Sequence, residues 1–266
     1  MKQLRQMPLG KKHCLIGCVH TLALPGTPKY DAHLGMPHLK AKALADATAL
    51  ADAGFDALLF CNESDMPYQF KMDASVISAM AEIISHVKTR VTLPHGVNML
   101  LDPLTSLALA HASGGEFMRG FVTGSYVGDI GCFTPDGAGL MRSRALLGAS
   151  AIMVIANVTA GFSQGLDTRP VALRASGAVF VGLADAVCVG GAAAGVAAEL
   201  SDLEQVAQSV PDVPVVVGTG VSEENISRIA GLAHGSIVGT SIKLDRKTLN
   251  AVDPARARQF VKALRH

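Results

Sequence analysis

Residues 213–222 read VPVVVGTGVS, and residues 236–241 read SIVGTS. Each stretch is a short apolar run rich in β-branched residues that ends in glycine and threonine, and the first leads straight into Ser222, a helix N-cap type of residue. Continuous apolarity, as opposed to alternation, marks a strand buried on both faces, as in parallel sheets. The same unit recurs toward the N-terminus. Strands are predicted at 14–20, 57–62, 95–99, 117–120, 152–157, 186–190, 213–218 and 236–239. Helical patterns separate them, for example Leu39, Ala43, Leu44, Ala47 and Leu50 at spacings of three and four. Eight strand–helix units at a mean spacing of about 30 residues predict an α/β fold, a single (β/α)8 TIM barrel. A doubly wound open sheet is the alternative, but it would carry GxGxxG after its first strand, where this chain has CVHTLALPG.

Composition agrees with a double shell of burial. Of 266 residues, 49% are hydrophobic and only 17% charged, 27 are glycine and none is tryptophan. This excludes a disordered chain and an exposed helical rod. A net charge of +1 gives no basic face and argues against nucleic acid as a partner. The five cysteines form no CxxC pair and read as reduced, mostly core residues of a cytoplasmic protein. Residues 1–12 read as an N-terminal extension and 13–266 as the barrel. No signal peptide is expected. The uncharged stretch 145–166 has the length of a membrane span, but Asn157, Thr159, Ser163 and Gln164 interrupt it.

A barrel places its active site at the C-terminal ends of the strands, with phosphate commonly held after strands 7 and 8. Gly218, Thr219, Gly220 and Val221 follow strand 7 here, and Gly239, Thr240 and Ser241 follow strand 8. Glycines let backbone N–H groups converge on an anion, and the hydroxyls add donors. Lys243 is placed to neutralise the phosphate. Of the two long loops, that after strand 1 follows His20, and that after strand 4, residues 121–137, holds Asp129 between Gly128 and Gly131.

The blocks VVVGTGVSEENI, IVGTSIKLD and NAVDPARARQFV resemble the signature of the BtpA/SgcQ family. GCVHTLALPGTPKY, CNESDMPY, PHGVNML, FMRGF, GDIG and ADAVCVGGAAAG agree, so the resemblance spans nearly the whole chain. It implies a (β/α)8 fold similar to the ribulose-phosphate-binding barrels. It also brings two functional settings, a thylakoid-associated factor for photosystem I accumulation and a sugar-metabolism gene cluster. Three positions depart from the family pattern. Cys61-Asn62 stands where the family usually has Glu-Asn. Residues 157–161 carry neither Lys nor His, and Cys132-Phe133-Thr134 lacks the usual acidic residue.

The candidate catalytic residues are His20, Asn62, Asp65, Asn98, Arg119 and Asp129. A histidine at the end of strand 1 suits general acid–base work. Adjacent strand residues face opposite sides, so Asn62 and Glu63 cannot both point inward. The resemblance favours Asn62 and Asp65, leaving Glu63 as a solvated loop acid. Asp102 before Pro103 also reads as a helix N-cap. Arg119, in an apolar strand, needs an acidic or ligand partner. A metal assembled from His20, Glu63, Asp102 and Asp129 lacks any local ligand spacing, so neither metal nor cofactor is expected. The reading is an enzyme acting on a phosphorylated sugar or ribose-phosphate-type metabolite by isomerisation, aldol-type (lyase) cleavage or glycosidic cleavage. The alternatives are a non-catalytic assembly factor with peripheral membrane association and a phosphometabolite sensor. A homo-oligomer is expected.

Overall fold

The computed structural model describes residues 12–191 and 195–265. Most of the expected extension, 1–11, lies outside them. Eight parallel strands close into a barrel: β1 (Cys14–His20), β2 (Ala57–Cys61), β3 (His95–Asn98), β4 (Phe117–Gly120), β7 (Met153–Asn157), β9 (Ala186–Val189), β10 (Val215–Val217) and β11 (Gly235–Val238). The chain order runs around the barrel without a crossover, and β1 closes it by pairing with β11, Ile16 opposite Ile237. Closure excludes the open sheet. The helices form the outer shell: α1 (Gly35–Ala53), α2 (Ala74–Lys88), α3 (Pro103–Ser113), α4 (Gly137–Leu146), α5 (Val171–Phe180), α6 (Leu200–Ser209), the short α7 (Ile226–Ala230) and α8 (Pro254–Arg265).

Strand periodicity sorts the core into two compartments. Leu15, Val19, Leu58, Phe60, Val97, Met118, Val154 and Val187 face outward and pack under the helices. Cys14, Ile16, Cys18, Leu59, Cys61, Phe117, Ile155 and Cys188 fill the interior. Both sets are apolar, which is why the strands read as continuous runs.

The loop expected after the fourth barrel strand is structured. β5 (Tyr126–Gly128), β6 (Gly131–Phe133) and β8 (Ser163–Gly165) form a small antiparallel sheet in the order β6-β5-β8. The chain holds only nine Phe and three Tyr, yet Phe121, Tyr126, Phe133 and Phe162 meet at this sheet, with ring centroids 4.8 Å apart for Phe121–Tyr126 and 4.9 Å for Tyr126–Phe133. Three-residue strands carry too little pattern to be read from sequence, and their stability comes from this cluster. Stretch 145–166 contains β7 and β8. Among the described residues no helix is long and apolar enough to cross a membrane.

His95 opens β3 on its outward face, buried, its Nε2 2.9 Å from Ser113 Oγ on α3. Burial pushes its imidazole down to about 4, with Lys88 adding to the effect. Between pH 6.5 and 4 the unfolded chain therefore takes up a proton that the fold refuses. Stability falls as pH falls through this window, by up to about 3 kcal/mol from this group. Urea titrations across the window should show a smaller decline for His95→Gln than for the parent chain. An equal decline would assign the pH dependence to other groups.

Candidate functional site

A cavity of ≈ 530 Å³ opens at the C-terminal ends of the barrel strands. Its floor is the top of the barrel interior, with Cys18 and His20 from β1, Cys61 from β2, Asn98 from β3, Arg119 from β4 and Asn157 from β7. One wall is apolar, formed by Tyr68, Leu100, Leu101, Phe121 and Phe162. The facing wall is the pair of loops after β10 and β11: Gly218, Thr219, Gly220, Val221 and Ser222, then Gly239, Thr240 and Ser241. The sequence-predicted phosphate loops therefore face one cavity together.

Several polar groups of these two loops stand without protein partners among the described residues. The N–H groups of Gly220, Val221, Thr240 and Ser241 have no backbone acceptor among the described residues. Ser241 Oγ is buried and has no partner there either. Thr219 Oγ1 accepts from the Gly191 N–H at 2.7 Å, tying the loops after β9 and β10. Gly220 has φ +69, and a Cβ there would stand 2.1 Å from the Val196 carbonyl carbon, so only glycine fits.

Lys243 does not belong to this wall. It is fully buried, and its Nζ donates to Asp46 Oδ2 on α1 at 3.1 Å and to the Cys18 carbonyl at 3.4 Å. After the Gly239–Ser241 loop the chain makes a helical turn, Thr240–Ile242, which directs Lys243 behind β1 and away from the cavity. The cation that lines this wall is Arg246, 49% exposed and paired with Glu223 and Glu224 at 3.2 and 3.1 Å. Arg246 has φ +52 and Asp245 φ +55, so two consecutive left-handed residues turn this segment back toward the mouth.

Arg119 crosses the floor. Its Nε donates to Asn157 Oδ1 at 2.8 Å, and no carboxylate pairs with it among the described residues. Gly218 makes room for it, since a Cβ there would meet Arg119 Nη2 at 2.7 Å and Cys188 Sγ at 2.5 Å. Beside it the Cys18 thiol is held well below the usual thiol range by the adjacent Cys61 thiol, with His20 and Arg119 acting in the same sense, and Cys61 is correspondingly raised. His20 Nδ1 lies 3.1 Å from the Thr248 carbonyl. A carbonyl only accepts, so Nδ1 donates to it and Nε2 is the ring nitrogen left for another partner.

Asn62 and Asp65 are turned away from the cavity. Asn62 is fully buried, accepts from Leu100 N at 2.8 Å and donates to Asp65 Oδ2 at 3.0 Å, while Asp65 Oδ1 accepts from Leu24 N at 2.8 Å. Together they stitch the loops after β1, β2 and β3. Glu63 lines the cavity instead. The inward parity Ala57, Leu59, Cys61 continues to residue 63, and that parity, read to the strand end, was the signal for it. The same parity (Met153, Ile155) leads to Asn157, which was not among the candidates. Asp102 is the N-cap of α3, its oxygens accepting from Thr105 N, Thr105 Oγ1 and Met72 N. Asp129 is exposed in the turn between β5 and β6. The quartet His20, Glu63, Asp102 and Asp129 is therefore not assembled. His20, Asn98 and Arg119 do meet at the floor.

Comparison with known proteins places these features in a wider setting. The BtpA family matches residues 11–266. The protein SgcQ of the sgc region of Escherichia coli (strain K12) is 35% identical over 97% of this chain and 96% of its own length. The photosystem I biogenesis protein BtpA of Synechocystis sp. is 32% identical, over 94% and 87%. Among solved structures, phosphoribosyl anthranilate isomerase from Thermus thermophilus superposes with a TM-score of 0.57 at 13% identity, covering 94% of this chain and 98% of that one. At that identity the likeness is one of fold.

The buried Lys243–Asp46 pair, joined by Lys42 Nζ at 2.8 Å from Asp46 Oδ2, secures the backbone behind Cys18 and His20. Asp46→Ala would strand a buried ammonium, and urea unfolding should show a loss of about 3–5 kcal/mol. Asp46→Leu combined with Lys243→Met should recover much of it. A single-variant loss below about 1 kcal/mol would mean the ammonium is not dependent on Asp46.

Proposed function

The chain belongs to the BtpA family, and from that premise we propose that it is an enzyme binding a phosphorylated sugar or ribose-phosphate-type metabolite at the C-terminal mouth of its barrel. The observation that carries this reading is Ser241 Oγ, buried and without a partner among the described residues, in a glycine loop beside N–H groups with no backbone acceptor among them. A buried hydroxyl left unpaired costs about 1–3 kcal/mol, which a phosphate oxygen would offset. The phosphoribosyl name of the isomerase of like fold accords with it.

The remainder of such a ligand would extend over the floor. Arg119 supplies a fixed positive charge for an anionic group or for negative charge developing during reaction. His20, with Nε2 free, and Glu63 on the same lining are the groups able to move protons in an isomerisation, an aldol-type cleavage or a glycosidic cleavage. Asn98 is placed to meet a hydroxyl. Five free thiols suit the cytoplasm. Self-association is part of the same reading, since Leu146 and Phe180, at the ends of α4 and α5, are 88% and 85% exposed. The relative named for photosystem I biogenesis supports the second reading, an assembly factor. Under it no phosphorylated ligand would stabilise the chain.

Thermal unfolding with inorganic phosphate and a panel of sugar phosphates separates the two. At about one hundred times its Kd a ligand adds about 2.7 kcal/mol and raises Tm by several degrees. Gly220→Asp should weaken phosphate at least about 100-fold, or about 2.8 kcal/mol, with the barrel's circular dichroism kept. Arg246→Met should weaken it about two- to fivefold, as for an exposed charge, and Lys243→Met less than about twofold. No Tm response to any phosphorylated compound would overturn the reading.

A further inference from the structure

Cys18, His20 and Cys61 form the one cluster of three His, Cys, Asp or Glu residues among the described residues whose donor atoms converge, all within 4.8 Å of one another. All three are buried, between 3 and 6% exposed, and all three line the floor of the cavity. The strand register makes this meeting a rigid one. His20 lies opposite Cys61 across β1 and β2, and Cys18 is one inward position below His20 on the same strand. Two sulfurs and an imidazole are the donors of Zn²⁺ sites, with Zn–S near 2.3 Å and Zn–N near 2.0–2.1 Å. Tetrahedral angles at those lengths set donors about 3.5–3.8 Å apart, so closing around the ion from 4.8 Å asks for a contraction of about 1 Å, within the reach of side-chain rotation.

The second shell is also in place. A metal-bound histidine commonly gives its other ring N–H to a carbonyl or carboxylate. His20 Nδ1 already points to the Thr248 carbonyl at 3.1 Å, which leaves Nε2 for the ion. Charge favours it as well. Two thiolates neutralise a dication, so the loaded site carries no net charge beside the Arg119 guanidinium. Three protein ligands with a fourth position open to a cavity is the arrangement of catalytic zinc, as opposed to structural zinc.

We propose that Cys18, His20 and Cys61 bind one Zn²⁺ ion whose open coordination position faces the cavity and accepts a hydroxyl or carbonyl oxygen of the bound ligand. Zn²⁺ there polarises that oxygen as a Lewis acid. His20 is then a ligand, and Glu63 is left as the proton-moving group of the lining. The site does not depend on the phosphate grip, and metal binding is measured without any phosphorylated compound, so either reading can fail alone.

The test uses the full chain under a phosphine reductant. Competition with a chromophoric zinc chelator should give one Zn²⁺ per chain. Co²⁺ should give the intense visible bands of a four-coordinate ion with a thiolate-to-cobalt charge-transfer band. Cys18→Ser, Cys61→Ser and His20→Ala should each weaken zinc at least about 100-fold, the upper end for loss of an outer-shell partner. Cys14→Ser and Cys132→Ser should leave it unchanged. The cobalt spectrum is read on the unaltered chain, so the test stands even where a variant unfolds. The proposal is overturned by lack of stoichiometric uptake in the reduced protein, by a cobalt spectrum without thiolate charge transfer, or by full affinity in the Cys18→Ser/Cys61→Ser double variant.

Discussion

A guanidinium lies across the axis of a closed barrel, and the upper half of the interior is arranged around it. Arg119 reaches into the interior from β4, and its partial burial there removes part of its hydration. A short donor–acceptor contact to Asn157, 2.8 Å, offsets part of that. The remaining neighbours are notable for size: Gly218, whose absent side chain is the space the guanidinium fills, and the thiols of Cys18, Cys61 and Cys188. An apolar barrel of Leu and Ile at this level would have no room for it. The consequence is a floor with a permanent positive charge that has no carboxylate partner among the described residues, beside polarizable sulfur.

The buried acidic side chains around the mouth serve the scaffold. Asp65 and Asp102 accept from the backbone N–H groups of Leu24, Thr105 and Met72, and Asp46 accepts from Val252 N while pairing with buried Lys243. Each ties one loop or helix to another around the mouth. Charge-assisted bonds to backbone N–H groups are among the stronger ones available, and they hold loops without regular structure in one place. The antiparallel sheet and its aromatic rings close the opposite side. The cavity is thus rigid where it grips and apolar where it shields.

The barrel was legible because its strands are buried on both faces, and such runs do not hide among loops. Strand ends fell within two residues of the expected positions. The loops after β10 and β11 were recognisable because a Gly-Thr turn ends each of two adjacent strands, at the level where backbone N–H groups can converge on an anion. What was hidden depended on direction. Asn62 and Glu63 are neighbours, and the register of β2, not residue type, decides that Glu63 enters the cavity. Lys243 and Arg246 are three residues apart, and only Arg246, the second of two left-handed residues, lines the cavity. The small sheet depends on rings brought together from residues 121, 126, 133 and 162, a tertiary contact with no local signature.

The loops after β10 and β11 and the floor of the cavity come from different parts of the barrel. The loops present backbone N–H groups and hydroxyls, whereas the titratable and charged groups of the floor stand on β1, β2 and β4. Under the proposed reading, binding energy from a non-reacting phosphate would orient whatever lies over the floor, and a substitution on the floor would change the neighbouring groups while leaving those loops intact. Cys61 is such a substitution, standing where the family resemblance leads one to expect glutamate. A hard carboxylate next to Arg119 would form an ion pair and close the charge. A thiol leaves the guanidinium open and adds a second sulfur to Cys18 and His20. At that single position a soft sulfur stands in place of the expected hard carboxylate, while the loops at 218–222 and 239–241 lie apart from it, after β10 and β11.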